Sequence, residues 1–226
     1  MFMSTELSRT DPSSLLFAWF SPAFPTGGFA YSHGLETAAA EGWIAGEAGL
    51  GAWLAGVLER GAGWTDAVIF AMAYRAESNA ILLDVAALSA ALAASRERLA
   101  ETEGQGQAFL AAVREGWPGL APAALPERTT YPAAAGACCA AIGAPLHAAI
   151  GVYLTGFAAN LIAAGIRLGL CGQSGGVRVL AALQPLIARL AASAEDAGED
   201  DLGGCAFGSD IAAMRHETLE GRLFLS

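Results

Sequence analysis

Lysine is absent: all twelve positive charges are arginine, set against twenty-two carboxylates for a formal net charge of −10. A phosphate loop with its lysine, a Schiff base and a lysine general base are therefore excluded. The arginines are few and unclustered, which argues against a surface that tracks nucleic-acid phosphates and favours basic or neutral protein partners. Cysteine is scarce as well. Four occur, and the adjacent Cys138 and Cys139 have neither the spacing of a C-x-x-C metal or redox site nor the geometry to bridge each other, so reduced structural thiols are expected. The three histidines, His33, His147 and His216, lie far apart without an H-E-x-x-H pattern, so no metal or cofactor site is expected. The first residues lack a basic segment followed by an apolar core, so no secretory signal is read and a cytoplasmic location follows.

What is abundant is alanine, leucine and glycine, within a hydrophobic fraction of 54%. Alanine and leucine are the strongest helix formers, strand formers are sparse, and 226 residues suffice for one large core without disulfides or metals. The expected fold is all-α: a single-domain bundle, residues 1–226, of roughly eight to ten helices, with a flexible N-terminus (1–11) and a distinctive tail (209–226). A short first helix follows Pro12, and Ser21 to Gly28, with two prolines and two glycines, is a loop. Helices are then predicted over Phe29–Glu41, Glu47–Arg60, Asp66–Arg75 and Ala80–Leu99. Ala100–Trp117, with alternating charge, reads as a more exposed helix, and 118–130, with three prolines, as a linker. Val177–Ala194 carries an apolar stripe at helical spacing, Glu195–Gly204 reads as a mobile acidic loop, and Ser209 as the cap of a last helix.

Two other readings compete with a bundle. Between Arg128 and Arg167 there is no charged residue, and Ala148–Ile166 is long enough to span a bilayer. His147, Thr155, Asn160 and the absence of flanking basic residues favour instead a helix at the centre of a bundle and no membrane association. Gly172-Gln173-Ser174-Gly175-Gly176 matches the G-x-S-x-G elbow of serine hydrolases, with Asp210 and His216 downstream. An elbow needs a strand before its serine, and 160–170 reads as helix, so a glycine-rich turn with a capping serine is preferred and no catalytic residue is assigned.

Two regions ask for more than packing. In Pro25-Thr26-Gly27-Gly28-Phe29-Ala30-Tyr31-Ser32-His33-Gly34-Leu35-Glu36 a loop leads into aromatics, a histidine and a glycine, costly choices for a helix. In Asp210–Ser226, the side chains of Met214, Arg215, His216, Arg222, Leu223 and Phe224 are anchors placed in a weakly structured end, as in a segment that orders on a partner.

The stretches LLFAWFSPAFPTGGFAYSHGLE, NLIAAGIRLGLCGQSGG and SDIAAMRHETLEGRLFLS resemble, in order and spacing, the three signature segments of the UreF family of urease accessory proteins. Leu170-Cys171 departs from the Pro-Leu of that pattern, and 95–130 and 195–207 show no likeness. The resemblance implies an all-α homodimer without catalytic activity. It would bind the UreD/UreH scaffold and recruit the GTPase UreG so that nickel reaches apo-urease. It further implies partner contacts at Pro25, Thr26, Gly27, Gly28, Phe29, Tyr31, Ser32, His33, Gly34 and Glu36, and in the tail at Asp210, Met214, Arg215, His216, Glu217, Arg222 and Phe224. Asn160, Arg167 and Gln173 would belong to a dimer or UreG-facing surface. A lysine-free chain leaves nucleotide hydrolysis to the partner, and Arg215 or Arg222 is a candidate to approach that partner's site.

Overall fold

A computed structural model describes residues 11–226; the expected flexible N-terminus lies almost wholly outside the described residues. The described chain is all helical: α1 (Pro12–Trp19), α2 (Leu35–Ala40), α3 (Gly46–Arg60), α4 (Ala62–Tyr74), α5 (Asn79–Ala91), α6 (Arg96–Gly116), α7 (Tyr131–Ala141), α8 (Leu146–Arg167), α9 (Gln173–Ala194) and α10 (Phe207–His216), with short 3-10 turns at Gly28–Ala30 and Glu199–Asp201.

The apolar run that could have crossed a membrane is α8. It buries Ile150, Tyr153, Leu154, Ala158, Leu161 and Ile162 and packs between α4 and α9. α8 and α9 are both long and apolar enough to span a bilayer, a property shared by the core helices of any large bundle. Beyond Tyr131, α7 supplies almost no side-chain bulk, and that is its use. A Cβ at Gly136 would lie 2.3 Å from the Phe70 carbonyl oxygen, so glycine lets α7 approach the backbone of α4. Cys138 and Cys139, both fully buried, fill the same seam as free thiols, and burial pushes the Cys138 thiol up to about 12 and Cys139 up as well. An aromatic cluster closes the core beside it. Phe109 stacks on Phe20 at 6.1 Å and meets Trp19 edge-on at 5.9 Å, while Tyr131 joins Phe109 to Tyr153 at 5.5 and 5.2 Å.

Several sequence expectations need correction. Phe29–Glu41 is not one helix: Tyr31 is extended and ends the 3-10 turn, and His33 (φ 57°) and Gly34 (φ 75°) take left-handed backbone, which delays α2 to Leu35. Ala80–Leu99 is two helices, because the Ser95 hydroxyl accepts from the Arg98 amide at 3.1 Å and starts α6 afresh. The charge of α6 does not make it exposed; Arg98, Glu101, Thr102 and Gln105 are buried in register with Phe109, Leu110 and Val113. The acidic segment after α9 is tied down rather than loose, since Trp64 Nε1 donates to the Asp201 carbonyl at 2.8 Å and the Arg75 guanidinium donates to the carbonyls of Glu195 and Ala197. α10 begins at Phe207, which places Ser209 inside its first turn instead of at the cap, and α9 begins at Gln173 after the cap Gly172, so Ser174 caps nothing.

Candidate functional site

The two sequence regions that packing left unexplained lie against each other. α2 carries Glu36 inward, and its carboxylate accepts from the amides of Leu223 (2.7 Å) and Phe224 (3.1 Å) and faces His216 Nε2 at 3.0 Å. The other ring nitrogen of His216 lies 2.6 Å from Glu97, which also holds Arg222 at 2.6 Å. Beyond them the extended end of the chain runs beside Ala30–Ser32. The Leu225 amide donates to the Ala30 carbonyl at 2.9 Å, and the Ser32 amide to the Ser226 carbonyl at 2.8 Å, joined by the Ser32 hydroxyl. Ser226 closes the loop by donating its hydroxyl to Glu101 at 2.7 Å.

Gly34 is required where these pieces meet. Its backbone has φ 75°, and a Cβ there would stand 2.7 Å from the Ala213 amide nitrogen of α10. Tail residues described above as weakly structured are therefore folded on their own chain: His216 is fully buried, and Phe224 and Ser226 are buried with it. A buried polar row continues inward from the tail. Arg98 Nη1 approaches Glu101 at 2.8 Å, and Tyr153 donates its hydroxyl to Asp66 at 2.8 Å. Burial would push Glu101 up, but Arg98 beside it, the His33 ring 3.6 Å away and the hydrogen bond from Ser226 outweigh that and hold it at about 2. Burial, reinforced by Arg98, lowers His33, and burial raises Asp66.

Around this clasp the structure brings together most of the residues singled out in the sequence. Ser32, His33, Gly34, Glu36, His216 and Phe224 are internal and act by shaping the backbone and what it displays. Arg167 lies 4.1 Å above the Phe224 ring and donates to the Phe29 carbonyl at 2.6 Å, and Asn160 fits beside Gly28, whose missing Cβ would lie 2.6 Å from its amide nitrogen. Pro25, Thr26, Gly27 and Tyr31 border a cavity of about 590 Å³ between this loop and α8. Exposed beside the clasp are Phe29, Leu223 and Leu225, and along α10 Phe207, Ile211 and Met214. Asp210 lines a small separate cavity with His33; Arg215 pairs with Glu41 at 2.5 Å over Trp43, and Glu217 with Arg96 at 3.3 Å. Arg215 and Arg222 are thus both engaged by carboxylates instead of hanging in a mobile tail. Gln173 stands apart, exposed at the start of α9 near the Arg178–Glu47 pair.

The hydrolase reading of Ser174 fails on this geometry. Ser174 is exposed in the first turn of α9 behind a helix and a turn, where an elbow needs a strand, and both ring nitrogens of His216 are taken by Glu36 and Glu97. Sequence reasoning missed Glu97, Arg98, Glu101, Asp66 and Tyr153. The spacing 98, 101, 102, 105, 109 was the available signal, because it puts charged residues on the same helical face as Phe109.

These features define a class: a single-domain all-α protein whose unusual residues build a held surface of exposed apolar side chains. Comparison with known proteins makes the class specific. The UreF family model matches residues 44–184. The urease accessory protein UreF of Mesorhizobium japonicum is 49% identical over 221 residues, covering 96% of this chain and 99% of the relative. UreF 1 of Brucella canis is 44% identical with both chains fully covered, and UreF of Rhizobium leguminosarum bv. viciae is 46% identical over 93% of this chain and 95% of its own. The chain belongs to the UreF family of urease accessory proteins.

Proposed function

We propose that this protein is a non-catalytic, cytoplasmic factor in urease maturation that, as a homodimer, binds the UreD/UreH scaffold and recruits or regulates the GTPase UreG, so that nickel is inserted into apo-urease. The observation that carries this reading is the clasp. Glu36 and His216 fix the tail so that Phe29, Leu223 and Leu225 face outward together, an exposed apolar group on a chain of net charge −10. Apolar anchors held rigidly in this way lose little conformational entropy on docking. The segment Pro25–Glu36 and the tail Asp210–Ser226 form one contact surface in this reading, with Asn160 and Arg167 bracing its edge. Gln173 would serve a different contact.

Deleting Asp210–Ser226 is a poor test, because the deletion also uncovers the core around His216 and Phe224. Leu223→Asp with Leu225→Asp changes exposed side chains only. Co-purification with UreD/UreH from cells carrying the urease genes should be lost in this double variant while its helicity stays that of the parent. Undiminished capture would refute the role given to this surface.

A further inference from the structure

The cavity between the Ser21–Phe29 loop and α8 has the makings of a ligand site that does not depend on the proposed role in urease maturation. Its volume of about 590 Å³ falls inside the range of roughly 300–1,000 Å³ typical of small-molecule sites. It opens to solvent beside Pro22, Pro25 and Phe29, which are exposed. Its walls include the aromatics Phe20, Phe24, Tyr131, Tyr153 and Phe157 among smaller side chains. Its floor is charged and unbalanced. Asp66 and Glu101 supply two carboxylates against the single guanidinium of Arg98, which is engaged by Glu101 at 2.8 Å. Asp66 is left with one named hydrogen-bond donor, the Tyr153 hydroxyl. Burial pushes the Asp66 carboxyl up, and Arg98 and the Tyr153 hydroxyl offset that only in part.

An aromatic-walled space that ends in an excess carboxylate recognises a positive charge twice, through the ring faces and through the acid. We propose that this cavity binds an organic cation, an apolar or planar group ending in an amidinium, guanidinium or ammonium, with Asp66 as its counter-ion. The cation could reach it as a free small molecule or as the side chain of a docked protein segment.

The test is calorimetric titration of the full chain at neutral pH with three probes of one shape and different charge: benzamidine, benzamide and benzoate. Benzamidine should bind at least roughly tenfold more tightly than benzamide, and benzoate should give no heat. Asp66→Asn should remove the preference for the cation. Because that change is buried, Ala159→Phe provides a second arm: it fills the cavity from α8 and leaves the charged floor in place, and it should abolish benzamidine binding in a chain of unchanged circular dichroism. A capped arginine amide that displaces benzamidine would point to a protein side chain as the source, and failure to displace it to a free cation. Equal affinity for benzamide or benzoate, benzamidine binding that survives Ala159→Phe, or no heat from benzamidine in a folded chain would each overturn the proposal.

Discussion

Around α8 the contacts are apolar and broad, made by alanine, leucine and aromatic side chains from the neighbouring helices, whereas at the α2–α6–α10 end a few charged groups hold the tail through named hydrogen bonds. The first kind of contact is distributed and tolerates modest change at most positions. The second concentrates on single atoms: Glu36 alone holds two amides and faces an imidazole, so losing it strands three groups at once, two of them buried. One end of the molecule is specified by area, the other by partner identity.

That contrast can be broken or sharpened by measurement. The largest loss should come from the apolar centre, where Phe109→Ala removes a fully buried ring from the aromatic cluster and should cost about 3–5 kcal/mol in denaturant unfolding. A cost no larger than that of a surface change would mean the cluster is not the core. Next comes Glu101, whose folded-state value is lowered to about 2 from an ordinary 4.5. A depressed carboxylate contributes stability that is complete above its unfolded value and is lost as pH falls through the folded one. The contribution, on the order of 3 kcal/mol, should therefore vanish between those two values. Acid unfolding of the parent and of Glu101→Gln should converge there; parallel curves would remove Glu101 from the ledger of the tail. Gly34→Ala should cost about 1–3 kcal/mol, combining a strained left-handed backbone with a clash against Ala213, and hydrogen exchange should accelerate first in α10 and the tail. The smallest effect belongs to Arg189→Ala. Its exposed pair with Glu59 should contribute within about 0.5 kcal/mol, and a thermal midpoint that moves by more than Gly34→Ala would invert the comparison.

Legibility followed the same divide. α3 and α9 could be read from apolar spacing, and α8 from its long uncharged apolar run, because their contacts are sums over many similar side chains. The tail clasp could not, because nothing in local periodicity tells Glu36 on α2 that its partners are Leu223 and Phe224. α6 misled for a related reason: Arg98 and Glu101 look solvated in sequence and are buried only because each offsets the other's charge. The turn before α2 was missed because His33 adopts a left-handed conformation uncommon for any residue but glycine. Gly34, by contrast, was singled out as an odd choice for a helix, and its conformation supplies the reason.

The paired thiols in the α4–α7 seam make the molecule a reporter of its own integrity. Cys205 is exposed and available to an alkylating reagent in the native chain, while Cys138 and Cys139 are both occluded and held protonated. Alkylation at this pair therefore registers separation of α7 from α4, so mass spectrometry of labelled protein can separate loosening of the tail from opening of the centre without any introduced probe.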